Sequence, residues 1–259
     1  MALFKSGNPT LSQKIFERSF SDKADMQGTM SVRGTINKFG FLLLTVVGGA
    51  AYTWQLHVSG QDKLMFTLMI VGIIGGLIAA LIISFKPKLA PYLAPAYGIL
   101  EGLFIGAISV VINETFAKEE GGSNIVMQAV GLTFGVAIAM FLLYNFRIIK
   151  ATEKFKSIIM GATVGILIFY GITLLLSFFG VQMDFMSITN GGWLGIGISL
   201  FVVAIAALNL ILDFDMIEKG AEQGAPKYME WYGAFGLLVT IVWLYIEILK
   251  LLSRFASRD

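Results

Sequence analysis

The sequence predicts an all-α polytopic membrane protein built as a seven-transmembrane-helix bundle. Three observations carry that reading. Of the 259 residues 56% are hydrophobic and only 14% charged, whereas about a quarter of a soluble domain is charged; the mean hydropathy is +0.78. The apolar residues gather into seven stretches near the ~20 residues that cross ~30 Å of hydrocarbon at about 1.5 Å per residue. The connections between them are short and carry turn or interface chemistry, as in Ser59-Gly60-Gln61-Asp62, Lys86-Pro87-Lys88 and Gly121-Gly122-Ser123-Asn124.

In chain order, a polar tail over 1–35, with Pro9 and scattered charges, precedes a membrane domain over 36–259. The tail lacks the apolar core of a cleavable signal peptide and is expected to be partly disordered or to lie along the membrane surface. The spans follow at roughly 39–58, 64–85, 92–113, 125–146, 157–180, 193–216 and 231–253. Short loops rich in lysine and arginine stay cytoplasmic. An inside N-terminus places 14 of the 19 basic residues on the inner face and leaves Lys63, Lys118, Lys250, Arg254 and Arg258 outside. The loop near 114–120, with Glu114, Glu119 and Glu120, falls outside too. The N-terminal tail is therefore expected in the cytoplasm and the C-terminus outside. Trp231 and Tyr232 at the start of span 7 read as an interfacial belt, and Trp243 and Tyr245 as either a second belt or packed core aromatics.

Lipid gives helices no hydrophobic reason to associate, so close approach through small residues matters more. Gly98, Gly102 and Gly106 share one side of span 3, and Gly131 with Gly135 and Gly161 with Gly165 repeat the spacing on spans 4 and 5. All three sets are expected to pack helices tightly. Span 5 also carries a hydroxyl stripe of Thr163, Tyr170 and Ser177, with Thr173 nearby, expected to make interhelical hydrogen bonds.

A carboxylate deep in a span costs several kcal/mol unless it is paired, protonated or facing water. Glu101, Asp213 and Glu247 all fall within spans. At about 100° per residue Asn209 and Asp213 lie roughly 40° apart, whereas Asp215 points about 160° away from Asp213. Asp213 is thus the aspartate expected to look into the bundle beside Asn209, with Asp215 at the cytoplasmic interface. Gly233, Gly236, Thr240 and Glu247 form a small-and-polar stripe on span 7. Glu247 either faces the bundle on that stripe or pairs with Lys250 at the interface. Glu230, at the mouth of span 7, reads as a solvated residue capping the helix start. It is also level with Asp213 in a regular hairpin, whereas Glu247 lies ~25 Å further along. Two acids close together share a proton and switch with pH, and their oxygens suit Ca²⁺. Asp213 is where Ca²⁺ would be met; no firm metal site is expected.

Other classes are excluded. The chain has no cysteine, which removes disulfides, thiolate metal sites and cysteine nucleophiles. Its one histidine, His57, reads as a solvated loop-end residue. A net charge of +2 with dispersed basic residues argues against nucleic acid. No nucleophile–base set appears, so no enzyme is expected, and no cofactor either.

The order of features in the C-terminal third resembles the Bax inhibitor-1 family. An acid ends span 6, and a short loop with Gly224 and Tyr228 precedes the last helix. Leu212-Asp213-Phe214-Asp215-Met216-Ile217 is similar to that family's Tyr-Asp-x-x-x-Ile pattern, and Leu244-Tyr245-Ile246-Glu247 to its Leu-Tyr-Leu-Asp. Leu212 stands where the pattern has tyrosine, and Glu247 where it has aspartate. The resemblance runs from about residue 36, and the long polar leader suggests the bacterial YccA/YetJ-type branch and hence an inner membrane. The resemblance implies a pH-sensitive Ca²⁺ leak governed by two carboxylates on the last two spans, or a survival role that modulates a membrane protease. The leading expectation is a cation leak gated by protonation, with Ca²⁺ or H⁺ and the lipid bilayer as its partners. The alternative is a non-conducting regulator of another membrane protein such as a protease.

Overall fold

The computed structural model describes residues 28–116, 124–181, 183, 187 and 191–258. The expected tail up to residue 27, Lys118, Glu119, Glu120 and the turn at 121–123 lie outside the described residues. Among those described there are seven helices long and apolar enough to cross a membrane. They are α1 (Val32–Val58), α2 (Asp62–Phe85), α3 (Ala90–Phe116), α4 (Ile125–Asn145), α5 (Glu153–Phe178), α6 (Trp193–Glu222) and α7 (Met229–Ala256). A 3₁₀ turn, Pro87–Leu89, leads into α3.

Most helices start a few residues before the apolar stretch that predicts them. Apolar length sets the least a helix must cover, and the chain stays helical until a cap satisfies the end. Ser31 caps α1 by accepting from the Gly34 N–H at 3.0 Å, and Thr152 caps α5 by accepting from the Phe155 N–H at 3.2 Å. Gly224, at φ +68°, ends α6 in the left-handed conformation that glycine adopts without strain.

The seven spans differ in how much they bury. In α7, 67% of the apolar window is buried, and in α3 and α6 56%, against 17–28% in α1, α2, α4 and α5. The less buried helices present side chains such as Leu44, Leu77, Phe141 and Leu175 outward, as lipid-facing surfaces do. Because α7 is buried on nearly every side, its aromatics read differently from the belt expectation. Tyr232 is fully buried and Tyr245 nearly so, which makes both core residues.

The chain divides into two compact units. The first holds α1, α2, α3 through Val111, α6 from Asp213 and α7 through Val239. Here the glycines of α3 do what their spacing predicts. A Cβ on Gly106 would come 2.5 Å from the Ala50 carbonyl of α1, and one on Gly102 would run into Val46. Gly49 and Gly72 answer from α1 and α2, with Cβ positions 2.6 and 2.5 Å from the carbonyls of Ile99 and Leu100. Leu56, Met65, Ala107 and Val110 fill the apolar space beside these contacts.

The second unit holds Ile112 to Leu212 and Thr240 onward. Its core is Ile159 and Ile166 of α5 against Val202, Ile205 and Leu212 of α6, with Trp243 packed on the cluster. The glycine pairs of α4 and α5 do not repeat the α3 device. A Cβ on Gly131, Gly135, Gly161 or Gly165 meets no described atom within 4 Å. Spacing puts two glycines on one side of a helix but does not bring a neighbour to that side.

Gly102→Leu is therefore expected to destabilise the protein by about 1–3 kcal/mol through overpacking. Gly161→Ala should stay within ~0.5 kcal/mol of the parent. Apparent melting temperatures in one detergent compare the two; equal losses would contradict the packing difference.

Candidate functional site

The polar groups inside the spans collect at four places. On α6, Asp213 is fully buried and Asn209, one turn before it, is 1% exposed. Asp213 takes part in at least one polar or electrostatic interaction. The Asn209 amide nitrogen donates to Thr163 Oγ1 at 2.9 Å and to the Ile205 carbonyl at 2.8 Å. A carbonyl can only accept, so the amide is oriented with its nitrogen there. Its Oδ1 is then a buried acceptor with no hydrogen-bond partner among the described atoms. Asp215 accepts from Lys219 at 2.8 Å, and that lysine side chain is 46% exposed. Asp213 is buried, and Asp215 is itself only 8% exposed and reaches water through its lysine.

On α7, Glu247 is 2% exposed. Lys250 donates to its Oε1 at 3.0 Å, and the Tyr170 hydroxyl lies 3.2 Å from each carboxylate oxygen. The Lys250 ammonium also sits 5.1 Å from the centre of the Tyr170 ring. The two sequence readings of Glu247 thus prove compatible: it is buried, and it pairs with Lys250. Of the hydroxyl stripe, Thr163 and Tyr170 make the expected interhelical bonds. Thr173 and Ser177 instead bond carbonyls of their own helix, at 2.8 and 2.7 Å. The small-and-polar stripe of α7 is buried, but so is most of that helix, so the stripe alone does not orient it.

On α3, Glu101 is partly exposed and is hydrogen-bonded by the Tyr97 hydroxyl one turn earlier. Gly76 of α2 lies beside it; a Cβ there would be 3.4 Å from Glu101 Oε2. The Tyr97 ring meets Phe235 edge-on at 4.9 Å.

Glu230 overturns its sequence reading. It is not solvated but fully buried. Its Oε1 accepts from the Ser31 N–H and hydroxyl at 2.9 Å each and from Lys227 at 2.8 Å, and Lys38 donates to Oε2. Gly34 is required beside it, because a Cβ would strike the Glu230 carboxylate. Met30 N–H donates to the Ala225 carbonyl at 2.7 Å and Thr29 bridges Pro226, so the end of the tail is tied to the α6–α7 loop. Two ammonium groups and two hydroxyl or amide donors replace the water that a buried carboxylate loses. Lys227, three residues away, is a partner visible in the sequence. Ser31 and Lys38 lie 199 and 192 positions away, and nothing local announces them.

His57 sits at the end of α1 with its side chain 25% exposed, and its Nδ1 is 2.8 Å from Asp62 Oδ1, a partner that the solvated loop-end reading does not include. Among the described residues no group of three or more His, Cys, Asp or Glu gathers that could hold a metal.

Glu230→Gln keeps an acceptor for Ser31 but strands two lysines, and is expected to cost about 2 kcal/mol. Lys227→Gln, at a half-exposed partner, should cost under ~1 kcal/mol. Thermal unfolding of the purified variants checks the order; a Glu230→Gln protein as stable as the parent would contradict the cage.

A family model described as Bax inhibitor 1 like matches residues 8–257. No curated protein and no solved structure matches the chain. The match begins well before residue 36, where the motif resemblance starts, and takes in most of the polar leader. With nearly its whole length covered, the chain belongs to the Bax inhibitor 1 like family.

Proposed function

We propose that the chain is a pH-sensitive cation leak of its membrane, with Ca²⁺ as the ion and protonation of buried carboxylates as the gate. The observation that carries this reading is Asp213, a fully buried carboxylate within a helix of mean hydropathy 2.5 over its apolar window. A charge so placed is costly in a bilayer unless a partner, solvent or a proton compensates it, and such groups mark ion and proton paths. Protonation converts an acceptor-only carboxylate into a donor as well, which re-sorts the hydrogen bonds around it. That re-sorting at Asp213 is the proposed gating event. Glu247, held by Tyr170 and Lys250, is the second acid of the proposal, and its place in the Leu-Tyr-Ile-Glu motif supports it. The proposed setting is a bacterial inner membrane, with the N-terminus in the cytoplasm on the strength of the lysine and arginine distribution.

A second reading is favoured by a different observation. The glycine faces of α4 and α5, where a Cβ meets no described atom, are small-residue surfaces of the kind that admit a neighbouring helix in lipid. They suit a non-conducting regulator that docks on another membrane protein, a membrane protease being the candidate class.

One assay separates the two. The charged fraction of a single carboxylate changes by up to about tenfold per pH unit. Protein in liposomes loaded with a Ca²⁺ indicator is therefore expected to pass Ca²⁺ with a steep pH profile that Asp213→Asn flattens. Glu101→Gln, Glu230→Gln and Glu247→Gln run beside it. An unchanged profile in Asp213→Asn removes its gating role, and no flux from the parent protein at any pH favours the regulator.

A further inference from the structure

We propose that Glu101 and Tyr97 form a proton-binding site near the middle of α3, beside Gly76 of α2. The site involves neither Asp213 nor Glu247, and it stands whether or not the chain conducts. Depth is the first observation. Glu101 follows the first residue of α3 by 11 positions and precedes the last by 15, which is about 16 and 22 Å along the helix axis. Both distances place it well inside ~30 Å of hydrocarbon.

The carboxyl sits on a buried face of its helix and is still reachable. Ala94, Tyr97 and Ile105 lie within about 40° of it around α3. They are 0%, 4% and 8% exposed, whereas Glu101 keeps part of its surface open. A gap therefore reaches the carboxyl between buried neighbours. Gly76 borders it, since a Cβ there would stand 3.4 Å from Glu101 Oε2 and 4.0 Å from the Tyr97 ring. Phe235 holds that ring edge-on at 4.9 Å, and the Tyr97 hydroxyl donates to Glu101.

The groups around the gap decide what it takes. Among the described residues Tyr97 is the titratable group that faces Glu101. From α2 the facing residue is a glycine, and that helix's charges, Asp62 and Lys63, lie about 20 Å along it. On α1 the residues level with Glu101 are Val46 and Gly49, which meet Gly102. From α7 it is Phe235, against the tyrosine. Glu114, the other acid of α3, is about 20 Å further on. An ionised Glu101 thus has a phenol but no cation to replace its water, a costly state in hydrocarbon. Ca²⁺ is poorly served, because it takes about six to eight oxygens and this place offers a carboxyl and a phenol. A proton needs one oxygen, removes the charge and leaves the other oxygen to accept from Tyr97.

Infrared spectroscopy of the full-length protein in a maltoside detergent, which has no carbonyl of its own, tests this. At neutral pH the parent should show a protonated-carboxyl band that moves down in D₂O and is missing from Glu101→Gln. Raising the pH should remove the band, with the protonated fraction falling by up to about tenfold per pH unit. Glu101→Asp, which keeps the carboxyl on a shorter stem, should move the band rather than abolish it. Tyr97→Phe keeps the ring against Phe235 but loses the donor that favours the ionised form, so its band should survive to higher pH, by up to about one unit. Absence of a Glu101 band at neutral pH would overturn the site. So would a band unchanged at every pH, which would make Glu101 a permanently neutral packing residue. Loss of the band on adding Ca²⁺ at constant pH would overturn it in favour of a metal ligand.

Discussion

A polar group that leaves water for the interior of a membrane helix bundle must find its replacement partners within the protein, and this chain is arranged around that demand. The seven helices satisfy the backbone. What remains is a handful of side chains that hydrocarbon would punish, and four of the acids among them have partners of a fitting kind. Glu230 has two ammonium groups and Ser31, Glu247 has a phenol and an ammonium, Glu101 has a phenol, and Asp215 has a lysine that reaches outward. Helix packing obeys the same economy. Where α1, α2 and α3 approach through glycine, backbone meets backbone, and the contact is made of dispersion rather than of polar groups that would need satisfying.

The partners fall into two kinds, and the difference explains what could be read in advance. Lys227 to Glu230 and Lys250 to Glu247 are three residues apart, and Tyr97 to Glu101 and Lys219 to Asp215 are four. Those are the spacings at which a helix brings side chains together. They are legible from the sequence alone, although only the Glu247–Lys250 pair is singled out there. Ser31, Lys38 and Tyr170 come from other helices, at separations that no local pattern encodes. Glu230 is the clearest consequence. Judged by its neighbours it is a polar residue at a helix mouth. It becomes a core residue only because the segment before α1 folds against the α6–α7 loop.

Fold class was almost wholly legible, since hydropathy and length leave few alternatives for seven apolar stretches joined by short polar turns. The spans end within two or three residues of where the apolar stretches end, except at α6, which runs six residues further to the Gly224 stop. The starts were less legible, because Ser31 and Thr152 cap their helices in the polar margin that hydropathy ignores. The glycine patterns mark the limit of periodicity. Three helices carry the same four-residue spacing, and it is used for close packing on α3 but not on α4 or α5. Spacing determines which side of a helix is smooth; the rest of the fold determines what meets it.

These distinctions bear on how any activity of the buried acids is to be read. Glu230 holds the end of the leader, the start of α1 and the α6–α7 loop together, so neutralising it removes a structural tie whatever the pH. A change in flux at that position would follow from loosened packing. Asp213 is placed differently: it is fully buried within the apolar length of α6, in the motif that carries the family likeness, and the amide nitrogen of Asn209, one turn before it, is committed to Thr163 and to Ile205. A change in flux at Asp213 would therefore not be traced to the tie that Glu230 makes with Ser31, Lys38 and Lys227.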